Sequence, residues 1–355
     1  MKSLFITSIE NFSGKTAVTL GLGRRMQIEG RTVGYVKPIS YAATVYEGHA
    51  LDEDVTFVRN VLGLQEPPEQ LSTLVVTPET LDDCLSEEGC DFTDQIMQAV
   101  QQAGEGKDLL LIEGGGSLRQ GYVLGLSTGY LADLVDSQVL VVIKSRGQLR
   151  LLDDALTAQY RLDERLLGIV INRVEDNEMD FVMQRARPYL EARGVPVLGV
   201  LPERPNLAAL SVAEIIETLD AKVLTGEEHT GRLAEELVIG AMGAREALHR
   251  FRQYRNKAVI TGGDRTDLQL AALETSTAAL VLTGNLTPNA SVLERAAAQD
   301  VPVLLVPTST MDTIERIEDL HGKTRLGQAE KLAHFESLMA ENVDFKRLNS
   351  LLGFE

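Results

Sequence analysis

Short apolar runs alternate with longer runs of helical spacing along the first part of the chain. The runs that predict strands lie at residues 3–8, 32–39, 108–113, 138–145, 167–173 and 195–201. Between them, apolar side chains recur at the spacing of a helix face at residues 15–30, 93–103, 148–160 and 179–193. Uniformly apolar strands that are separated by helices indicate a parallel sheet covered on both faces. The first domain is therefore predicted to be a doubly wound α/β domain.

A second series of the same kind follows the turn-rich residues 202–206. Its predicted strands lie at 257–261, 279–283 and 302–306, with helices at 268–275, 290–299 and 311–319. These units predict a second, smaller α/β domain, and a helix with one apolar stripe follows at 327–339. Such a stripe is typical of a terminal helix docked on its own domain, and a partner surface is the alternative. We predict two domains and a helical tail, at residues 1–208, 209–325 and 326–355.

The charge balance narrows the function classes. With 34 Lys+Arg against 52 Asp+Glu, the chain has a formal net charge of −18, which argues against binding to nucleic acid or to an anionic membrane. The cysteines of the sequence, Cys84 and Cys90, stand in an acidic stretch and predict neither a disulfide framework nor a zinc site. The opening apolar run fits neither a signal peptide nor a membrane span, so we expect a cytoplasmic protein.

The first predicted strand leads into a turn with the features of a phosphate-binding loop. A glycine at the start of a helix lets the backbone approach a phosphate, and the following amides point at the anion. In such a loop Lys15 neutralises the β- and γ-phosphates, and the Thr16 hydroxyl reaches Mg²⁺. Ile9 stands where the motif G-x-x-x-x-G-K-[ST] has its first glycine, so the loop is a variant. A chance Gly-Lys-Thr is the alternative, but the position favours a nucleotide site at Ser13, Gly14, Lys15, Thr16 and Ala17.

Two carboxylates are candidates for holding Mg²⁺. Glu113 ends an apolar strand and precedes three glycines at 114–116. An acid there lies at the carboxyl edge of the sheet, where open α/β sheets bind ligands, and Mg²⁺ prefers oxygen ligands. Asp54 is the second candidate. It stands in an acidic cluster at a helix start, where a favourable interaction with the helix dipole explains it equally well.

Taken together, these residues resemble the dethiobiotin synthetase-like branch of phosphate-loop ATPases, in the variant fused to the front of long bacterial phosphate acetyltransferases. The resemblance covers roughly residues 1–205 and implies ATP and Mg²⁺ as cofactors. It rests on the loop at 13–16, Tyr-Val-Lys-Pro-Ile at 35–39, Asp54, Glu-Gly-Gly-Gly at 113–116 and Ile-Asn-Arg at 171–173. The family's loop begins Gly-Thr-Asp-Thr, whereas residues 8–11 read Ser-Ile-Glu-Asn. This departure argues against dethiobiotin synthesis but leaves nucleotide binding plausible.

The resemblance also implies roles for single residues on the phosphate side of the cleft. Lys37 would face the substrate and the phosphates, and with Lys15 it would carry any catalysis. Thr16, Asp54 and Glu113 would position Mg²⁺. A solvated lysine at a strand end is the alternative for Lys37.

On the base side of the cleft, the resemblance assigns three further residues. Asn172 would contact the adenine edge, and Pro202 and Glu203 belong to the loop that closes over the base. For Asn172, capping of the following turn is the alternative.

The second domain resembles the DRTGG domain that occurs in the same fusion proteins. The residues that carry this likeness are 239–242, 260–267, 282–284 and 302–304, although here the two glycines precede Asp264. Such domains are usually regulatory or ligand-binding. No acetyltransferase domain follows in the sequence, so we expect no acetyl transfer.

Loops after three strands of this domain should meet at one edge of its sheet and form a ligand site. Arg265 and the amides near Gly262 suit an anionic group. A tight turn with Arg265 paired to Asp264 or Asp267 is the alternative. The candidate ligand residues are Gly262, Gly263, Asp264, Arg265, Thr283, Gly284 and Thr308.

The combined prediction is an ATP- and Mg²⁺-binding P-loop protein that acts as a nucleotide-responsive regulatory or assembly protein with weak or no ATPase turnover. The alternative is an ATP-dependent ligase related to dethiobiotin synthetase or cobyrinic acid a,c-diamide synthase, acting on an unidentified small acid or amine. A structural module with a dead site would bind no nucleotide. We also expect a small-molecule effector, a protein partner and, by resemblance alone, a homo-oligomer.

Overall fold

The computed structural model describes residues 2–354 except 42, 47–48, 87–88, 205–206, 208 and 323–328. The chain divides into two compact units, the first made of residues 1–203 and 326–355 and the second of residues 204–325. In this division the second unit begins at residue 204 instead of the predicted residue 209, and residues 326–355 are part of the first unit.

A seven-stranded parallel sheet forms the centre of the first unit. The strands of this unit are β1 Lys2–Ser8, β2 Val33–Ser40, β3 Ala43–Tyr46, β4 His49–Asp52, β5 Ser72–Val75, β6 Leu109–Glu113, β7 Gln138–Lys144, β8 Leu166–Val174 and β9 Val197–Pro202. The sheet order is β5-β2-β6-β1-β7-β8-β9, with parallel pairing throughout. β3 and β4 pair with each other in an antiparallel hairpin.

Helices of the first unit connect these strands and cover the sheet. Their bounds are α1 Lys15–Ile28, then Glu53–Leu62, Pro68–Leu71, Pro78–Leu85, Thr93–Gly104, Thr128–Leu134, Gln148–Leu162, Met179–Phe181, Arg187–Glu191, Ala329–Asn342 and Phe345–Leu351, with a π-helical turn at Val182–Ala186 and a 3-10 turn at Asp163–Arg165. Every residue of β6 is buried, because helices shield both faces of a central parallel strand. The doubly wound α/β prediction for this unit is confirmed.

The last two helices pack against α1, the helix that follows the phosphate loop. A Cβ atom at Gly21 would lie 2.9 Å from Met339 Cγ, so the absence of a side chain lets the two helices approach closely. Arg24 Nε donates to Glu336 Oε1 at 2.9 Å, and Arg347 binds both carboxylate oxygens of Glu191. The apolar stripe of the terminal helix is therefore docked within the chain.

The second unit is built on a smaller mixed sheet. The strands of this unit are β10 Leu210–Ser211, β11 Lys222–Thr225, β12 Leu233–Ala234, β13 Glu236–Ile239, β14 Lys257–Gly262, β15 Thr277–Thr283 and β16 Val303–Leu305. Among the described strands, β10 and β12 pair only with each other. The sheet order is β11-β16-β15-β14-β13, and β11 runs antiparallel to its neighbour. The helices are Val212–Leu219, Ala244–Phe251, Thr266–Leu273, Ala290–Ala297 and Thr310–Gly322, with a 3-10 turn at Glu227–His229. The predicted smaller α/β domain is confirmed.

The two cysteines are bonded to each other. Cys84 and Cys90 form a disulfide across a sequence separation of 6 residues, with their Cα atoms 4.6 Å apart. The composition had not predicted this bond. It links the last turn of the helix Pro78–Leu85 to Cys90. Among the described helices, none has both the length and the apolar character of a bilayer span.

Candidate functional site

The phosphate loop lies at the carboxyl edge of the first sheet, between β1 and α1. Its backbone is fixed from inside, because the Ser8 and Ser13 hydroxyls both donate to the Glu10 carbonyl, at 2.6 and 2.8 Å. Phe12 and Gly14 have positive φ values of 58° and 91°, which turn the chain sharply into the first turn of α1. The helix has no side-chain cap at its N-terminus, so its first amides have no such partner and remain available to an anion.

Lys15 reaches from α1 across to the glycine-rich turn after β6. Its ammonium donates to the Gly116 carbonyl at 2.6 Å and to Ser8 Oγ at 3.3 Å. Burial lowers the pKa of Lys15 to about 8, although the nearby Glu113 carboxylate acts in the opposite direction. The Lys15 ammonium is thus hydrogen-bonded to neutral oxygens, and a phosphate would supply the charge compensation that these oxygens do not.

Glu113 ends β6 beside the phosphate loop because β1 and β6 pair in register, with Ile6 opposite Glu113. Thr16 Oγ1 donates to Glu113 Oε1 at 2.7 Å, and the Tyr35 hydroxyl approaches Glu113 Oε2 at 3.2 Å. Burial raises the pKa of Glu113 despite the opposing charge of Lys37. The sequence prediction brought Thr16 and Glu113 together but did not include Tyr35.

Lys37 lies on β2 between two aspartates. Its ammonium is 2.7 Å from Asp52 Oδ2 and 3.3 Å from Asp54 Oδ2. Burial alone would lower the pKa of Lys37, but the carboxylates of Glu113, Asp54 and Asp52 outweigh it and raise that pKa. The lysine is only 4% exposed, so the solvated interpretation is wrong.

Asp52 is the residue that sequence reasoning missed. Its side chain is 2% exposed and caps the helix Glu53–Leu62 by accepting from the amides of Asp54 and Val55. It also accepts a hydrogen bond from the Ser40 hydroxyl. An aspartate directly before a helix is a recognisable cap signal, but its ion pair with Lys37 depends on the sheet and has no local signature.

The residues present fit a magnesium ion. Thr16 and Glu113 offer a hydroxyl and carboxylate oxygens next to the phosphate loop, which is the donor chemistry that Mg²⁺ takes. The Asp54 side chain is 33% exposed, and its Oδ2 atom lies 3.3 Å from the ammonium of Lys37. In the described parts of the chain, no three His, Cys, Asp or Glu side chains are placed so that they alone could hold a metal ion. An ion here would therefore need phosphate oxygens and water to complete its shell.

The base-side residues lie at the ends of neighbouring strands. Asn172 Nδ2 donates to the Ser13 carbonyl at 2.8 Å, so this amide braces the phosphate loop. Its Oδ1 accepts from the Arg173 amide at 3.0 Å, which matches the local capping alternative. The Glu203 amide donates to the Val174 carbonyl at 2.8 Å and holds the chain after Pro202 beside β8. Contact of these residues with a base stays a prediction, as does any contact through Ala17, which is buried in α1.

The candidate residues of the second unit lie at the carboxyl edge of β14, β15 and β16. Thr283 Oγ1 and Thr310 Oγ1 are 2.7 Å apart, and the Gly284 amide donates to the Thr308 carbonyl at 2.9 Å. The loops after β15 and β16 are thus brought together, as predicted. The Thr308 hydroxyl is 2.7 Å from that of Thr313.

The Gln269 side chain holds the glycine turn after β14 by hydrogen bonds. Its Nε2 donates to the carbonyls of Gly262 and Gly263, at 2.9 and 3.0 Å. Arg265 binds both oxygens of Asp267 at 3.0 Å, which is the surface pair considered as the alternative. Asp264 is exposed. A ligand at this edge stays a prediction.

Two family models match this chain, one in each unit. Residues 2–211 match the model of the AAA domain. The chain belongs to the AAA domain family. Residues 214–320 match the DRTGG domain, so an AAA domain with a P-loop is followed by a DRTGG domain. The first match supports nucleotide binding by the first unit.

Curated relatives share this arrangement. The phosphate acetyltransferase of Pseudomonas putida is 27% identical over 372 residues, which cover 99% of this chain and 52% of the relative. That of Deinococcus radiodurans is 27% identical over 373 residues, which cover 99% and 51%. The chain thus spans about half the length of these relatives and matches their N-terminal part, as the resemblance implied.

Several solved structures match part of this AAA domain protein, and one of them contains a DRTGG domain. It is the CBS and DRTGG domains of the regulatory region of Clostridium perfringens pyrophosphatase, complexed with diadenosine tetraphosphate. The match has 27% identity and a TM-score of 0.28, and it covers 32% of this chain and 47% of the other.

The lowered pKa of Lys15 predicts how stability depends on pH. The unfolded chain releases this proton near 10.5 and the folded protein near 8, so the unfolded chain binds more protons between these values. Rising pH should therefore increase the free energy of unfolding in this window. We expect Lys15→Met to show a smaller increase between pH 8 and pH 10 in urea denaturation. Other buried groups set the part that remains: burial also lowers the pKa values of Lys257 and Lys144, and it raises those of Tyr35 and Tyr41, which act in the opposite direction. Equal slopes in both proteins would contradict the prediction.

Proposed function

We propose that this protein binds ATP with Mg²⁺ at its phosphate loop and acts as a nucleotide-responsive regulatory or assembly protein with weak or no ATPase turnover. The observation that carries the nucleotide site is the convergence of Lys15, Thr16 and Glu113. These side chains come from α1 and β6 at the carboxyl edge of the sheet. Thr16 Oγ1 donates to Glu113 Oε1 at 2.7 Å, and the Lys15 ammonium donates to the Gly116 carbonyl at 2.6 Å. This supports a site for a triphosphate and its metal.

The phosphates would bind through the amides of the first turn of α1 and through the Lys15 ammonium. Thr16, Glu113 and Asp54 would hold Mg²⁺, which supplies neutralisation of phosphate charge when it is bound. Lys15 would exchange its carbonyl partner Gly116 for phosphate oxygens. This exchange supports a nucleotide-dependent change in the glycine-rich turn at 114–116.

The small space beside Glu113 argues against group transfer to an organic acceptor. The cavity there is about 20 Å³ in volume and is lined by residues that include Tyr41, Gly115 and Gln120. That volume holds about one water molecule, which is too little for an organic acceptor. Lys37 is held by Asp52 and Asp54, so it would have to leave a buried ion pair to meet a substrate.

The alternative is an ATP-dependent ligase related to dethiobiotin synthetase or cobyrinic acid a,c-diamide synthase. The polar lining of the same cavity favours it, because Gln120 and Thr128 stand beside Glu113 at the glycine-rich turn. In that case a small acid or amine would widen the cavity on binding. Lys15 and Lys37 would then be the catalytic residues.

Calorimetry with ATP·Mg²⁺ tests the nucleotide site. We expect Lys15→Ala to weaken binding about ten- to a hundredfold, since a charge-assisted contact with phosphate is lost. Lys107→Ala is the matched control. Lys107 lies just before β6, at the edge of the sheet opposite the phosphate loop, and it forms an ion pair with Glu66. Phosphate release should stay low with wild-type protein. No heat with the wild type would contradict the proposal, and release stimulated by a small acid or amine would favour the ligase.

The second unit completes the proposal as the site of a small-molecule effector or of assembly. The support is the meeting of the loops after β14, β15 and β16 at one edge. We further propose a cytoplasmic homo-oligomer with a protein partner. The net charge of −18 fits a protein that binds neither nucleic acid nor a membrane surface.

A further inference from the structure

A buried tyrosine holds one oxygen of the Glu113 carboxylate. The Tyr35 hydroxyl donates to Glu113 Oε2 at 3.2 Å, while Thr16 Oγ1 donates to Glu113 Oε1 at 2.7 Å. Tyr35 is 0% exposed and Glu113 is 1% exposed. Because each oxygen of the carboxylate accepts from a different side chain, the orientation of the carboxylate plane is fixed.

The pairing of β2 with β6 brings Tyr35 to this place. The two strands are parallel, with Tyr35 opposite Leu111, and side chains alternate between the two faces of a strand. Tyr35 therefore projects from the same face of the sheet as Glu113, which stands two residues further along β6. Burial and the neighbouring Glu113 carboxylate raise the pKa of Tyr35 well above its usual range, so the phenol keeps the proton that it donates.

The two oxygens of Glu113 are not equivalent toward a metal ion. Oε1 faces Thr16, whose hydroxyl is the group that a phosphate loop offers to Mg²⁺. Oε2 is occupied by the phenol, and within the described residues no donor other than Tyr35 binds it. A carboxylate held in this way offers a metal one oxygen, directly or through water. Mg²⁺ accepts a single carboxylate oxygen in its octahedral shell, whereas Ca²⁺ also takes carboxylates that bind through both oxygens.

We propose that Tyr35 is a positioning residue for the metal that accompanies the nucleotide: by holding Oε2 of Glu113, it presents Oε1 alone and favours Mg²⁺ over Ca²⁺. This inference rests on the proposed nucleotide site and adds its metal selectivity. Tyr35 acts through Glu113 and not by binding the metal itself. Hydrogen-bond partners of metal-binding side chains typically change metal affinity about 10- to 100-fold. Without the phenol, Glu113 is free to rotate and to bind a metal through both oxygens.

Affinities for ATP, measured by calorimetry with Mg²⁺, with Ca²⁺ and with EDTA in place of a metal, test the proposal. Tyr35→Phe keeps the ring and removes the hydroxyl. We expect this variant to bind ATP·Mg²⁺ about tenfold more weakly than the wild type, with little change for ATP·Ca²⁺ and for metal-free ATP. Tyr130→Phe is the matched control. It removes the same group from a tyrosine whose hydroxyl lies 3.4 Å from Thr93 Oγ1, so none of the three affinities should change.

A purely structural role of Tyr35 would weaken all three affinities together, so the ratio of ATP·Mg²⁺ to ATP·Ca²⁺ affinity is the deciding readout. An unchanged ratio in Tyr35→Phe would overturn the proposal while leaving the nucleotide site intact. If this variant does not fold, the wild type provides the measurement: a preference for Mg²⁺ supports the proposal, and equal affinities with the two metals overturn it. Failure of the wild type to bind ATP under any of the three conditions would contradict the proposed function itself.

Discussion

Asp52→Ala should lower the free energy of unfolding of the first unit by about 3–5 kcal/mol, the range found when one partner of a buried ion pair is removed. Lys37 would keep its charge in a site where it is 4% exposed, with the more distant Asp54 as its remaining aspartate partner. The helix Glu53–Leu62 would also lose its side-chain cap. Urea denaturation gives the loss, and amide hydrogen exchange of β2 assigns it to this unit.

Asp54→Ala is the matched control for this prediction. It removes the other aspartate that binds Lys37, but the pair is longer, at 3.3 Å, and the Asp54 side chain is 33% exposed. Solvent screens such a pair, so we expect a loss of about 0–1 kcal/mol. Asp52→Asn keeps an oxygen acceptor for the helix amides and removes only the charge. Equal losses for Asp52→Ala and Asp54→Ala would show that burial of the ion pair is not what stabilises β2.

Gly14→Ala should weaken nucleotide binding more than about a hundredfold while the protein stays folded. A Cβ atom at this position would lie 2.4 Å from Asn172 Nδ2, and the φ angle of 91° is unfavourable for an alanine. The loop would have to shift or Asn172 would have to leave the Ser13 carbonyl. Either change displaces several amides from hydrogen-bond distance of the phosphates, which accounts for a loss of about 3 kcal/mol in binding. Calorimetry with ATP·Mg²⁺ measures it.

Gly30→Ala separates backbone strain from collision. Gly30 follows the end of α1 that is remote from the phosphate loop and has a φ of 84°, but a Cβ atom there would have no neighbour within 4 Å. We expect its nucleotide affinity to change less than about threefold, because only a local strain of about 1–2 kcal/mol is added away from the loop. A similar loss of affinity in both variants would remove the contact with Asn172 as the explanation.

Much of the fold could be predicted because the central strands carry their signal locally. β6 and β8 are apolar at nearly every position, so their runs are visible without any knowledge of the sheet. β5 was not predicted, because this edge strand has four residues and only Leu74 is buried. β11 and β13 were also missed. β11 has no buried side chain, and β13 has an apolar run of only three residues, at 237–239, of which Val238 alone is buried.

The candidate site could be predicted only in part. Lys15, Thr16 and Glu113 follow strands at the same sheet edge, so strand order alone brings them together. The ion pair of Lys37 with Asp52 arises where β2 meets the helix after β4, and no spacing in the sequence announces it. The contact of Tyr35 with Glu113 likewise depends on β2 and β6 being neighbours. Long-range pairings of this kind are set by topology, which a local pattern does not contain.

The docking of the terminal helices on α1 has a consequence for synthesis of the chain. Arg24 and its partner Glu336 are separated by 312 residues, so translation at roughly 5–20 residues per second leaves the outer face of α1 bare for about 15–60 seconds. Until then, the face of α1 around Gly21, where Met339 later packs, offers apolar surface to chaperones or to other nascent chains. The polypeptide that forms the second unit leaves the ribosome during this interval. The packing of α1 is thus completed only after the second unit has been synthesised.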